Sequence, residues 1–307
     1  MIEDLGKGIF WWKTHVVAGG DPWANARILT DAGFQWVAIK VADGNESYTA
    51  RGCPKPNVTR EFVHAFRSVF KGRVYGWEFV THAGALRPGS ALADQVEALG
   101  LDGGIFDVED DFDLGLNAEV LARSIVGDYH RKTLKPLGWC SWALPQNPKT
   151  GGEWHPANVA RAGMEGSDFG MPMAYWPGGA PLDVAAYATE VKRQWRALIT
   201  SKPLVLTGRA WSGDGGVATP ATIKAFDERV RSMDAVDAQA GVCWWSFSHA
   251  YQVPATWAAL KLTPQWPLTS PTPPPAPPGV ALREWAMEIT SHLRKSSGYD
   301  GPDLASS

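Results

Sequence analysis

The sequence predicts a single (β/α)8 barrel, and three observations carry that prediction. Short apolar runs alternate with amphipathic stretches eight times along the chain. Such alternation implies parallel strands joined by right-handed helical crossovers, and eight units in about 260 residues is the size of a closed barrel. No GxGxxG opens the first helix, which removes the main signature of the competing doubly wound sheet.

The strands are expected at 7–12 (KGIFWW), 36–42 (WVAIKVA), 73–80 (RVYGWEFV), 103–109 (GGIFDVE), 137–143 (LGWCSWA), 170–176 (GMPMAYW), 203–210 (PLVLTGRA) and 242–248 (VCWWSFS). Helices fall between them, near 21–33, 57–71, 89–100, 116–132, 155–166, 181–199, 219–238 and 255–262. Asp21-Pro22 and Thr219-Pro220 read as a cap followed by proline, and Asn57 as the cap of the second helix. Gly33, Gly72 and Gly100 stand near helix ends, where a left-handed residue favours glycine. The barrel thus occupies 1–262. Residues 263–279 hold eight prolines and predict a semi-rigid polyproline spacer. Beyond it, Leu282, Trp285, Ala286, Ile289 and Leu293 recur at helical spacing. One short helix makes no core of its own, so the helix within 280–307 is expected to fold back or to dock on a protein partner, ahead of a frayed tail.

Composition narrows the function. A hydrophobic share of 45% with 20% charged residues describes a soluble globular chain of 307 residues. The net charge of -3, with no basic run, argues against a nucleic-acid partner. No run approaches 18 apolar residues, so no membrane span is expected. The first residues lack a signal peptide's pattern, which makes a cytoplasmic location the default and leaves other export routes open. Cys53, Cys140 and Cys243 form no disulfide framework or CxxC spacing. The histidines show no HExxH or HxH pattern, and no GxSxG elbow is present. Neither a metal nor a cofactor is expected, and serine-hydrolase chemistry is set aside.

Barrel enzymes build their sites at the carboxyl ends of the strands. Gly103-Gly-Ile-Phe-Asp107-Val-Glu109 ends an apolar run in two carboxylates one residue apart. Side chains alternate along a strand, so Asp107 and Glu109 share one face, with α-carbons about 6.6 Å apart. The other strand ends add Trp12, Lys40, Glu78, Trp142, Tyr175, Trp176, Arg209, Trp245 and His249. Sixteen tryptophans supply large flat surfaces, suited either to a core or to sugar rings. The plainer alternative for the acidic segment is a solvated loop.

These motifs resemble glycoside hydrolase family 25, the lysozyme-like barrels. Gly33-Phe-Gln-Trp-Val-Ala-Ile-Lys40-Val-Ala-Asp43-Gly44 is similar to that family's second-strand "GxxFVxIKATEG". Ile105-Phe-Asp107-Val-Glu109 resembles its "LDVE" strand, Met173-Ala-Tyr175-Trp176 its "IAQY", and Trp244-Trp245-Ser-Phe-Ser248 its "WQYS". Two positions depart. Phe10 stands where the family's first strand carries a catalytic aspartate, and Asp43 where the second-strand motif has glutamate. The resemblance implies a barrel that cleaves a polysaccharide or peptidoglycan-type glycan by carboxylate acid/base chemistry. Glu109 is then the general acid. Asp107 is expected to be ionised and to raise the pKa of Glu109, or else to pair with Lys40 inside the barrel. Glu78 is the candidate second carboxylate, with Asp214 a weaker one. Trp12, Trp142, Tyr175, Trp176 and Trp245 would stack on sugars, Arg209 would hold a carboxylate or acetamido group, and Lys40 and His249 would complete the substrate contacts. Lys40 also admits Schiff-base aldolase chemistry. A different class stays open, a non-catalytic carbohydrate-binding or structural barrel of a phage or cell-surface particle.

Overall fold

A computed structural model of the chain describes residues 5–49, 57–113, 115–145, 156–177, 183–199, 202–213, 216–233 and 239–266. The predicted spacer beyond Trp266, the terminal helix and tail, Cys53 and Asp214 lie outside the described residues. No helix among the described residues is long and apolar enough to cross a membrane.

The strands are β1 (Gly6–Trp11), β2 (Trp36–Asp43), β3 (Glu46–Ser47), β4 (Arg73–Val80), β5 (Gly103–Val108), β6 (Leu137–Trp142), β7 (Phe169–Ala174), β8 (Leu204–Arg209) and β9 (Gln239–Trp245). All but β3 run parallel in the order β1-β9-β8-β7-β6-β5-β4-β2, and β1 also pairs with β2. The sheet is therefore a closed eight-stranded (β/α)8 barrel. The two-residue β3 is an antiparallel appendage on the end of β2.

The helices are α1 (Pro22–Asp31), α2 (Arg60–Val69), α3 (His82–Ala85), α4 (Ala91–Leu99), α5 (Asp110–Asp113), α6 (Ala118–Lys132), α7 (Pro156–Gly166), α8 (Val184–Leu198), α9 (Pro220–Ser232), α10 (Phe247–Gln252) and α11 (Pro254–Leu262). The short α3, α5 and α10 follow strand ends and shape the loops of one rim. Asp21 and Thr219 cap α1 and α9 as expected. The cap of α2, however, is Thr59. Asn57 is diverted: its Oδ1 accepts from the Thr14 amide, and its Nδ2 donates to the Trp12 and Lys40 carbonyls, each at 2.9 Å. One side chain thus ties together the ends of β1 and β2. Gly100 is left-handed at the end of α4 (φ 67°), as expected, whereas Gly72 has no positive φ.

Period-two alternation divides the core into two layers. Phe10, Trp36, Tyr75, Trp77, Ile105, Cys140, Phe169, Met171, Val205 and Cys243 fill the barrel interior. Residues such as Val37, Phe106, Trp139 and Trp244 face the helices instead. Gly8 lets the indole of Trp36 cross β1, since a Cβ there would lie 1.8 Å from that ring. In the outer layer, buried Lys7 donates to the carbonyls of Ala32, Leu260 and Thr263 at 2.7–2.9 Å, fastening α11 to β1.

Candidate active site

Ile105 is interior and Phe106 and Val108 face the helices, so Asp107 and Glu109 point to the barrel axis. Asp107 is buried, and its β6 neighbour in the sheet register is Cys140. The Cys140 thiol donates to one carboxylate oxygen, while Oδ1 has no partner. Burial, then the Glu109 charge, push the Asp107 carboxyl well above the usual aspartate range, and Lys40 opposes them only in part. This direction runs against the ionised role expected for Asp107. Asp107 keeps its proton to higher pH than a free aspartic acid, because ionising it requires a second buried negative charge.

Above the acids opens a cleft of about 740 Å³. Trp12, Trp245 and His249 form the β1–β9 side, with the Lys13 ammonium 4.4 Å from the Trp12 ring centroid. The Trp245 ring rests on Phe10 and Trp77, at 5.3 and 5.4 Å between centroids. A cis peptide joins Trp245 to Ser246. Trp142 forms the β6 wall, its indole nitrogen held 2.8 Å from Asp113 of α5, immediately after Glu109. On the far wall, Tyr175 meets Trp211 edge-on at 4.7 Å, and the Arg209 guanidinium lies 4.1 Å from the Trp211 ring centroid. Arg209 also donates to the Gly213 carbonyl. Burial holds the Tyr175 hydroxyl well above its usual pKa, so it stays a donor. Burial and the Lys13 charge lower that of His249.

Eight of the expected residues therefore line one cleft: Trp12, Asp107, Glu109, Trp142, Tyr175, Arg209, Trp245 and His249. Three do not. Glu78 sits between inward-facing Trp77 and Phe79 and so faces the helices, where it accepts from the amides of Asn45, at 2.6 Å, and Leu92. Burial lifts its pKa to about 7. Trp176 follows the end of β7 and turns into the outer core, against Phe226 and the Val217 carbonyl. Lys40 is interior, but its ammonium pairs with Asp43 at 2.7 Å inside a cage of Trp12, Tyr48, Trp77 and Phe79, and it does not line the cleft. It forms no ion pair with Asp107 within 4.0 Å. Tyr187 of α8, Met173, Leu144 and Pro177 also line the cleft and were not singled out from the sequence. Trp211, two residues beyond the end of β8, lines it as well. Among the described residues, no cluster of three or more metal-ligating side chains occurs.

No protein-family model matches the chain, and no curated protein matches it. Solved structures do resemble it in fold. A GH18 chitinase from Pseudoalteromonas aurantia superposes with a TM-score of 0.59 at 13% identity, over 84% of this chain and 100% of the chitinase. The PgaB (BpsB) glycoside hydrolase domain from Bordetella bronchiseptica gives 0.58 at 14%, over 88% and 100%. A xylanase and α-amylase inhibitor protein in complex with trehalose gives 0.52 at 12%, over 85% and 98%. The chain has the barrel fold of glycoside hydrolases, a fold shared by enzymes and by an inhibitor protein. The likeness to family 25 is carried by sequence motifs alone.

Proposed function

We propose that the protein is a glycoside hydrolase acting on a polysaccharide of 2-acetamido sugars, of the chitin or peptidoglycan type, with Glu109 as general acid. The observation that carries this reading is the position of Glu109 and Asp107 at the end of β5, at the base of an aromatic-walled cleft. Glycoside cleavage needs a proton donor for the leaving oxygen and a nucleophile or base on the other side of the sugar. Among the described lining residues, Glu109 and Asp107 are the only carboxylates, and both come from one strand. The second group is then best supplied by the substrate. Its acetamido oxygen attacks C1 as Glu109 protonates the departing oxygen, and water later opens the cyclic intermediate with Glu109 as base. Tyr175 and Asp107, both lining the cleft, would orient the acetamido group by donating to it. The fold likeness to a GH18 chitinase favours the same substrate class.

The second reading is a glycan-binding barrel without turnover. Phe10 at the position of the family's first-strand aspartate favours it, as does the fold likeness to the inhibitor protein with trehalose. Assay of chitooligosaccharides and peptidoglycan with wild-type and Glu109→Gln protein separates the two. For the enzyme, Glu109→Gln lowers turnover by at least ~10²-fold while sugar affinity survives. Full activity in the variant refutes Glu109 as the acid. Binding without turnover in the unmutated protein establishes the second reading.

A further inference from the structure

Ser246 and His249 form a unit that the chemistry above does not use. Ser246 is fully buried and stands at the N-cap of α10. A serine there ordinarily accepts from a first-turn amide. Ser246 makes no such bond. Its Oγ lies instead 2.8 Å from Nδ1 of His249. A buried hydroxyl needs an acceptor for its proton, and among the described residues this imidazole is the partner of Ser246 Oγ. Nδ1 can accept only when the ring proton resides on Nε2. The lowered pKa of His249, from burial and from Lys13, favours that neutral ring. Nε2 is the nitrogen left for a ligand, and His249 lines the cleft.

We propose that Ser246 locks His249 in its Nε2–H tautomer, so that the cleft offers a fixed N–H donor to an acceptor oxygen of the bound sugar. Ser246 is a positioning residue, and His249 a contact that selects substrates carrying a hydroxyl or acetamido oxygen at that point. The lock also makes His249 unsuited to act as a base, since Nε2 has no lone pair to offer. The sugar contact rests on the glycan reading, whereas the tautomer does not.

Two-bond 1H–15N correlation spectra of protein labelled at histidine nitrogen, near pH 7, read the tautomer directly. His249 is assigned by the signal lost in His249→Gln. The expected pattern is a protonated Nε2 and a bare Nδ1. A protonated Nδ1, or an imidazolium, overturns the lock whether or not the protein cleaves glycans. Ser246→Ala should then release a mixture of tautomers. It should also weaken a chitooligosaccharide by about 2- to 12-fold in KM or Kd, the span of one hydrogen bond, with kcat changed less. If both Ser246→Ala and His249→Gln bind that probe as tightly as the unmutated protein, the sugar contact is refuted and the lock remains. If no oligosaccharide binds the unmutated protein, the sugar contact falls with the glycan reading, and the spectra alone decide the lock.

Discussion

Replacing Glu78 by glutamine tests both the energetics of the barrel wall and the placement of the site. Glu78 is 3% exposed, and its carboxyl titrates at about 7 in the fold against 4.5 for the ordinary group. Each pH unit between those values is worth about 1.4 kcal/mol. Its protonated form therefore favours the fold by about 3 kcal/mol over its ionised form. The raised pKa fixes the sign. That contribution is fully present below 4.5, is lost as the pH rises towards 7, and stays lost above it. Glutamine keeps an oxygen for the Asn45 and Leu92 amides and carries no charge at any pH. Urea unfolding from about pH 4.5 to about pH 8 should show the wild-type stability falling, relative to Glu78→Gln, by about 3 kcal/mol. Asp107 and Asp227 also have raised pKa values, but they titrate in both proteins and cancel in the difference. A flat difference would refute the buried-carboxyl argument. Turnover should be unchanged, because Glu78 faces the helices. A folded but inactive Glu78→Gln would overturn that placement.

Three further outcomes follow from the same geometry. Asp107→Asn should move the alkaline limb of the pH–rate profile to lower pH, because the last proton of the Asp107–Glu109 pair then leaves without building a second negative charge beside the first; an unmoved limb means that the two carboxyls do not interact. Lys7→Met leaves the carbonyls of Ala32 and Thr263 without their donor, while that of Leu260 still accepts from Thr263, and should cost about 2 kcal/mol or more in urea unfolding. A loss under about 0.5 kcal/mol would show that water replaces the ammonium there. Trp211→Ala removes the ring that packs on Tyr175 and Arg209, and should raise KM for an oligosaccharide about 5- to 10-fold with a smaller change in kcat; an unaltered KM places the sugar elsewhere in the cleft.

The barrel was legible because its signals are local. Apolar runs mark the strands, and Asp21-Pro22 and Thr219-Pro220 mark helix starts, without any long-range contact being known. The acids were legible for a related reason: period two along β5 puts Asp107 and Glu109 on the face of Ile105. The same rule applied to β4 would have excluded Glu78, since Tyr75, Trp77 and Phe79 claim the interior. Trp176 could not be placed that way, because the strand ends at Ala174 and alternation no longer governs the next turn. Tyr187 belongs to a helix whose buried residues look like ordinary core. Its approach to the cleft depends on how α8 lies over β7, which no local pattern records. The tie from Asn57 to β1 and β2 was hidden by a better-known use of asparagine at helix starts.

Phe10 bears on the proposal that one strand supplies both acids. Its ring is buried on Trp77 and Trp245, the surface on which the cleft floor rests. A carboxylate there would need a cation to offset its desolvation. The cation inside that part of the barrel, Lys40, is already paired with Asp43 and enclosed by aromatic rings. A carboxylate at position 10 would thus be a further acid inside the barrel, with Lys40 already engaged by Asp43. Filling the position with an aromatic ring keeps the floor apolar, and apolar surroundings are what push the Asp107 carboxyl upward. Phe10 on β1 and the raised pKa on β5 both belong to an apolar barrel interior. That interior suits a reaction in which the substrate brings its own nucleophile, and fits poorly with one that needs a second carboxylate across the cleft.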